Sequence, residues 1–304
     1  APNAGMNLES SAVKPFMHIG GRQTLKDFIE YFQNKKDYDL IFVVVPNSGC
    51  IYSYVKQAAE LNVGCLTQCI KERTLNKLNP QTVGNILLKV NSKLNGTNHA
   101  INGNSRPAIM QRPCMIMGAD VTHPSPDAKD IPSVAAVTAS HDPQAFQYNI
   151  CWRLQPPKVE IIEDLCNITR EQLLFFFKKN NCKPERIVFF RDGVSEGQFQ
   201  EVQRAEISAI QKACKSLQKE GYEPKITFLV VQKRHHTRLF PMDSRDSEDR
   251  NMNVPAGTCV DSMITNPMMQ DFYLVSHASI QGVAKPTKYC TLWDDNKLNH
   301  DDIE

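Results

Sequence analysis

Two aspartates stand where apolar runs give out. Asp120 closes the run CMIMGA and Asp192 closes RIVFF, so each carboxylate is expected where a buried strand meets a loop. Glu160 lies between them in the sequence, at the expected start of a helix. Carboxylates at strand ends around one sheet suit hard cations, because Mg²⁺ takes oxygen ligands and keeps several waters. Two such ions about 3.5–4 Å apart can hold the attacking and leaving oxygens of phosphodiester hydrolysis. The plainer alternative is that Asp120 caps a turn and that Asp192 with Gly193 makes an ordinary Asp-Gly turn. Spacing alone leaves both open.

A second set of residues is basic. Tyr52 and Lys56 are four apart on one expected helix and Lys89 and Lys93 are four apart on another, so each pair shares a helical face. Residues 51–118 carry eight Lys/Arg against two acids, an excess of +6 in a chain whose net charge is only +2. The segment KRHHTR at 233–238 is a second basic cluster, and the last eleven residues hold five acids and one lysine. Two basic patches in a near-neutral chain point to a polyanion held at defined places. A solvated lysine face and a surface charge run are the alternatives for the two patches. Zinc is not expected at the adjacent His235 and His236, which lack a second ligand pair at zinc spacing, and His123 reads as a turn or sheet hydrogen-bonder.

The elements that must position these groups follow from periodicity and punctuation. The first part alternates helix and strand, with helices at 25–32, 51–61 and 80–94 and a strand at 40–45 ending at Pro46. Asn79 and Pro80 open the third helix as N-cap and first residue, and Gly96 stops it. The Asn, Gly and Pro of 95–113 mark a domain boundary. Beyond it, strands at 114–121, 132–140 and 148–154 are separated by short turns and should be antiparallel neighbours. A helix at 160–178, a strand at 186–191, a helix at 197–218 and a strand at 225–231 follow.

Composition bounds the class. With 304 residues, 41% hydrophobic and 22% charged, two globular domains are expected, not a disordered or coiled-coil chain. The ten cysteines form no CxxC pair and the start APNAGMNLES reads as no signal peptide, so a reduced, cytoplasmic setting is expected. The longest apolar runs, 40–45 and 226–231, are strand-sized, and no membrane association is expected.

Several fragments together carry a family resemblance. GADVTHPSPD (118–127), FRDGVSEGQF (190–199) and QKRHHTRLF (232–240), in this order, closely resemble the PIWI domain of Argonaute proteins. TQC (67–69) and NPQTVGNILLKVNSKL (79–94) resemble the MID domain that precedes it, and HPSPD with AKPTKY looks most like the small-interfering-RNA class of arthropod Argonautes. The resemblance implies an α/β protein. Its parts would be a linker at 1–12, a Rossmann-like MID lobe at 13–110, and at 111–304 a ribonuclease H-like PIWI lobe whose mixed sheet is flanked by helices.

For function, the resemblance implies a Mg²⁺-dependent endoribonuclease of RNA interference, with Mn²⁺ as an alternative metal. Asp120 and Asp192 match the family's metal-binding aspartates, and Glu160 matches the glutamate it brings in on a loop. The family's histidine has no counterpart up to Glu304, so the fragment alone is expected to cut poorly. Tyr52, Lys56, Gln68, Lys89 and Lys93 match the residues that hold a guide's 5′-phosphate, and the loop 47–49 the one facing its first base. Lys233, Arg234, His236, Arg238, Gln281 and Lys285 resemble contacts to the guide backbone. The partners implied are a small guide RNA with a 5′-phosphate, a complementary target RNA and silencing-complex proteins. The competing class is a guide-binding scaffold that represses targets without cutting them.

Overall fold

The structure, a computed structural model, describes residue 20 and residues 23–128, 130–218, 221–279 and 281–303. The expected linker at 1–12 lies outside the described residues. The chain forms two compact units, Ala1–Ala100 and Ile101–Glu304.

In the first unit, helix α1 (Leu25–Gln33) opens with a capping box: Thr24 Oγ1 accepts from Asp27 N–H, and the Asp27 carboxylate accepts from Thr24 N–H. It buries Phe28 and Phe32 against Val55, Ala58 and Ala59. Strand β1 (Ile41–Val45) precedes α2 (Ile51–Lys56), which runs on as a π-helical stretch, Gln57–Val63, where an α-helix to residue 61 is expected. Gly64 ends it at φ +86°, a left-handed turn that glycine adopts without steric cost. Strand β2 (Thr67–Lys71), not foreseen from the sequence, pairs in parallel with β1, Ile41 opposite Thr67. A short α3 (Glu72–Leu75) leads to α4 (Pro80–Lys93), whose Asn79 cap accepts from Thr82 N–H at 2.8 Å.

The second unit is built on one eight-stranded sheet. Strands β3 (Cys114–Thr122), β4 (Ser133–Ser140) and β5 (Tyr148–Gln155) are antiparallel neighbours as expected. Helix α5 (Leu165–Asn180) leads to β6 (Arg186–Asp192), which lies parallel to β3. Next come α6 (Phe199–Val202), a π-helical stretch Gln203–Ile207 and α7 (Ser208–Ser216), then β7 (Lys225–Gln232), parallel to β6. Three further strands, which periodicity did not single out, are β8 (Thr258–Val260), β9 (Asp271–Val275) and β10 (Thr287–Asp294). A four-residue α8 (His300–Ile303) follows, and the sheet order is β5-β4-β3-β6-β7-β10-β9-β8. None of the helices described is long and apolar enough to cross a membrane.

Helix α5 begins at Leu165, not at Glu160. The reason lies in the loop's backbone groups: Gln155 Nε2 donates to the carbonyls of Val159 and Ile161 at 2.7 and 2.9 Å, and Ile162 N–H donates to Glu206 Oε1 at 3.1 Å. Side chains thus take the groups that a helical turn would pair. The expected helix at 197–218 likewise forms with a π-helical interruption.

One sheet face carries the larger core, and Val188 and Leu229 on the other face pack with Ile109. Met115, Met117 and Ala119 of β3 pack with Val137 of β4, Phe189 of β6 and Phe228 of β7 under the buried faces of α5 and α7. Phe189 and Phe228 stack at 4.9 Å between ring centroids, in the centre of the parallel strands. Phe189→Ala should therefore cost about 3–5 kcal/mol, the range for a buried aromatic replaced by a cavity. Urea unfolding monitored by circular dichroism measures it, and a loss below about 1 kcal/mol would contradict this packing.

Candidate active site and basic pocket

Strand alternation decides where the acids go. Ile187, Phe189 and Arg191 of β6 point into the core, and Asp192, the last residue of the strand, points to the opposite face. Ala119 of β3 lies opposite Arg191 in the parallel register, so Asp120 and Asp192 emerge side by side from neighbouring strands. Asp120 sits inside β3, two residues before its end, and is exposed.

The loop 156–164 brings Glu160 to this edge. Its side chain is only 12% exposed. Glu160 Oε2 lies 2.8 Å from His123 Nε2, whose other ring nitrogen is 2.8 Å from Ser133 Oγ. On the other side Arg191 Nη2 lies 3.0 Å from Glu160 Oε1, but its N–H is directed at the Glu160 carbonyl. Oε1 is thereby buried beside a cation and accepts no hydrogen bond. A Cβ placed on Gly193, itself at φ +89°, would lie 3.4 Å from Asp120 Oδ1 and 3.5 Å from that same Glu160 Oε1. Two carboxylate oxygens from separate segments thus border one small space that the absence of a side chain keeps open.

This donor set suits a hard cation: carboxylate oxygens, one of them buried without a hydrogen bond, facing a cradle. Asp192, the residue before Gly193, already has a cation partner. Its carboxylate is ion-paired with Lys233 Nζ, and among the described residues no group of three His, Cys, Asp or Glu side chains is closed enough to hold a metal. Lys233 thus occupies with its ammonium a carboxylate that the sequence assigns to a metal. The Lys233 side chain is largely exposed and the pair is worth about 0.2–1 kcal/mol, so Lys233→Ala should tighten Mn²⁺ binding about 1.4- to fivefold. Calorimetric titration with Mn²⁺ measures this; weaker binding in the variant would make Lys233 a support of the site and not a competitor.

The first unit gathers three of its five expected phosphate ligands. Lys56 Nζ donates to Thr67 O and Thr67 Oγ1, both at 3.1 Å, and is ion-paired with Glu60. Lys93 Nζ donates to the same Thr67 carbonyl at 2.7 Å and to Gln68 Oε1 at 2.9 Å. Burial, and after it the neighbouring Lys56 ammonium, holds the Lys93 amine below the usual lysine range. Two ammonium groups on one carbonyl form a site where added negative charge is favoured. Lys89, one helical turn before Lys93, and Tyr52, one turn before Lys56, are exposed and stand at the edge of this cluster. Asn47, in the loop before α2, accepts from Arg73 N–H at 3.0 Å.

The remaining sequence-selected residues lie on two loops of the second unit. Arg234, His236, Gln281 and Lys285 are exposed, while Arg238 folds back onto the carbonyls of His235 and Thr237. The two loops are joined by His235 Nε2, which lies 2.8 Å from Pro286 O.

A Piwi domain family model matches residues 40–304, most of the chain. The chain belongs to the Argonaute family. Among solved structures, Kluyveromyces polysporus Argonaute with a guide RNA is 27% identical at TM-score 0.81, over 91% of this chain and 35% of that one. The C-terminal lobe of a budding yeast Argonaute is 28% identical at TM-score 0.80, over 92% of this chain and 58% of that one. Drosophila Piwi is 26% identical at TM-score 0.75, with coverage of 92% and 37%. The chain thus spans between about a third and three-fifths of the structures that it matches. Its eight-stranded mixed sheet flanked by helices is the ribonuclease H-like fold of Argonaute PIWI lobes.

Two buried charged residues bonded to the Glu160 loop are not among those that the sequence of this Argonaute chain singles out. Arg191 continues the inward alternation of Ile187 and Phe189, and Glu206 continues the helical spacing of Phe199 and Val202. A charge on a core stripe has to find a partner, and that rule could have paired them.

Proposed function

We propose that this chain is the guide-holding and strand-cutting part of an RNA-silencing nuclease. The observation that carries this reading is the approach of Asp120 Oδ1 and Glu160 Oε1 to one point above Gly193, beside the strand end that bears Asp192. Asp120 and Asp192 would hold Mg²⁺ or Mn²⁺, and Glu160 would complete the site. When bound, the metal would neutralise charge on the scissile phosphate and activate a water for in-line attack. The chain's own residues orient the acids: His123 fixes one oxygen of Glu160, and Arg191 fastens its backbone.

In the same reading the first unit acts as a MID domain. Lys56, Gln68 and Lys93, with Lys89 at its rim, take the 5′-phosphate of a small guide RNA, and Tyr52 stacks on its first base. Lys233, Arg234, His236, Arg238, Gln281 and Lys285 follow the guide's backbone, while base pairing reads the target RNA. That a similar Argonaute has been solved with a guide RNA supports this assignment. The setting would be a cytoplasmic silencing complex of the small-interfering-RNA class seen in arthropods.

The test is cleavage of a complementary target by the full-length protein loaded with guide. A single Mg²⁺-dependent cut at a fixed distance from the guide 5′ end is expected, abolished by EDTA. Retained guide with an uncut target would establish the non-cleaving scaffold instead.

A further inference from the structure

The loop that delivers Glu160 needs something to keep it docked, and two of the groups that hold it, Ile162 N–H and the Arg191 guanidinium, meet at one residue. Glu206 lies in the π-helical stretch between α6 and α7, with its side chain fully buried. Its Oε1 accepts from Ile162 N–H at 3.1 Å, two residues beyond Glu160. The same carboxylate accepts Arg191 Nε, at 3.2 Å to Oε1 and 3.1 Å to Oε2. Arg191, with no exposed side-chain surface, directs its far edge at Glu160 and Nη1 at the Asp192 carbonyl. We propose that Glu206 is the positioning residue of this site: it fastens the Glu160 loop at Ile162 and orients the guanidinium that holds Glu160.

The charges support the same assignment. One buried cation, Arg191, lies between two carboxylates, Glu206 and Glu160. Glu206 takes the side of the guanidinium that forms hydrogen bonds to its carboxylate, while Glu160 Oε1 beside it accepts none. Of the two carboxylates it is Glu160 whose Oε1 borders the space above Gly193. Without Glu206 the buried Arg191 would have Glu160 as its sole carboxylate partner among the described residues and would draw it inward, away from that space.

This inference goes further than the proposed nuclease reading and rests on it for the purpose of the docked loop, but its test does not depend on cutting. Glu206→Gln keeps the size of the side chain, removes its charge and turns one of its two acceptors into a donor facing Arg191 or Ile162. Hydrogen–deuterium exchange read by mass spectrometry on the 304-residue chain should show amides of 156–164 exchanging about tenfold faster in this variant. Peptides from β3 and β6 should remain as in the wild type. Glu206→Ala should give a larger effect on the same loop if it folds, and the Gln variant carries the test if it does not. Unchanged exchange at 156–164 in the Gln variant would overturn the proposal. So would faster exchange spread evenly over the unit, because a merely structural ion pair predicts that. Mn²⁺ titration of the wild type judges the nuclease reading separately: no binding would remove that reading, and the loop measurement would still decide the role of Glu206.

Discussion

Asp120→Ala and Asp192→Ala should each abolish target cutting in the full-length protein while leaving guide affinity within about twofold. Asp192 ends β6 and Asp120 lies beside it in the parallel strand β3, so each substitution removes a negative charge from the same edge without disturbing the apolar face beneath. Such a loss should lower the single-turnover rate at least about 10³-fold, or ~4 kcal/mol of transition-state stabilisation. Glu160→Ala should slow cleavage as severely, because its Oε1 borders the same space as Asp120 Oδ1. A full-length Asp192→Ala protein that cuts at the wild-type rate would sink the two-metal reading, and the Asp192–Lys233 pair would then be an ordinary surface contact.

The second large effect is expected in the basic pocket. Lys93 is partly buried, shares the Thr67 carbonyl with Lys56 and also holds Gln68, whereas Lys89 is exposed. A charge-assisted hydrogen bond to phosphate is worth about 1.5–3 kcal/mol, so Lys93→Ala should weaken 5′-phosphorylated RNA about 10- to 150-fold. Lys89→Ala should cost less than about fivefold. RNA with a 5′-hydroxyl should bind both variants almost as it binds the wild type, as fluorescence anisotropy on matched oligonucleotides can show. Equal losses on the two RNA forms would reduce these lysines to a general basic face. Log affinity should also fall with log salt, with a slope of about −0.7 per phosphate neutralised on a single strand.

What the sequence made legible was whatever depends on local rules. Asn79 and Pro80 place the start of α4 to the residue, and the apolar run ending at Asp192 places β6, because capping and strand burial are written in neighbouring residues. The three antiparallel strands before α5 were readable for the same reason. The local pattern puts Glu160 at a helix start, whereas the family resemblance puts it on a loop; the loop forms because its backbone environment is set by Gln155 and by Glu206, the latter 46 residues on from Glu160. Strands β9 and β10 are not legible because β10 finds its partner β7 only in the folded chain and β9 in turn pairs with β10, and short mixed segments such as DFYLV carry little periodic signal. The candidate acids were found by type and position, but the residues that steady them were not. Arg191 and Glu206 act through distances that only the folded chain creates.

The π-helical stretch in the second unit has a consequence for how its helix is spelled. An α-helix advances about 3.6 residues per turn, so a single buried stripe steps by three and four. Phe199, Val202 and Glu206 step by three and four, and Ile207, Ile210 and Cys214, all buried as well, repeat the same steps one residue late. One continuous rod thus carries two stripes in different phase, and the extra residue in the wide turn is what lets both face the sheet. Glu206 is the last position of the first stripe. Deleting one residue between 203 and 207 would merge the stripes into one unbroken helix and would cost the sheet its inward carboxylate.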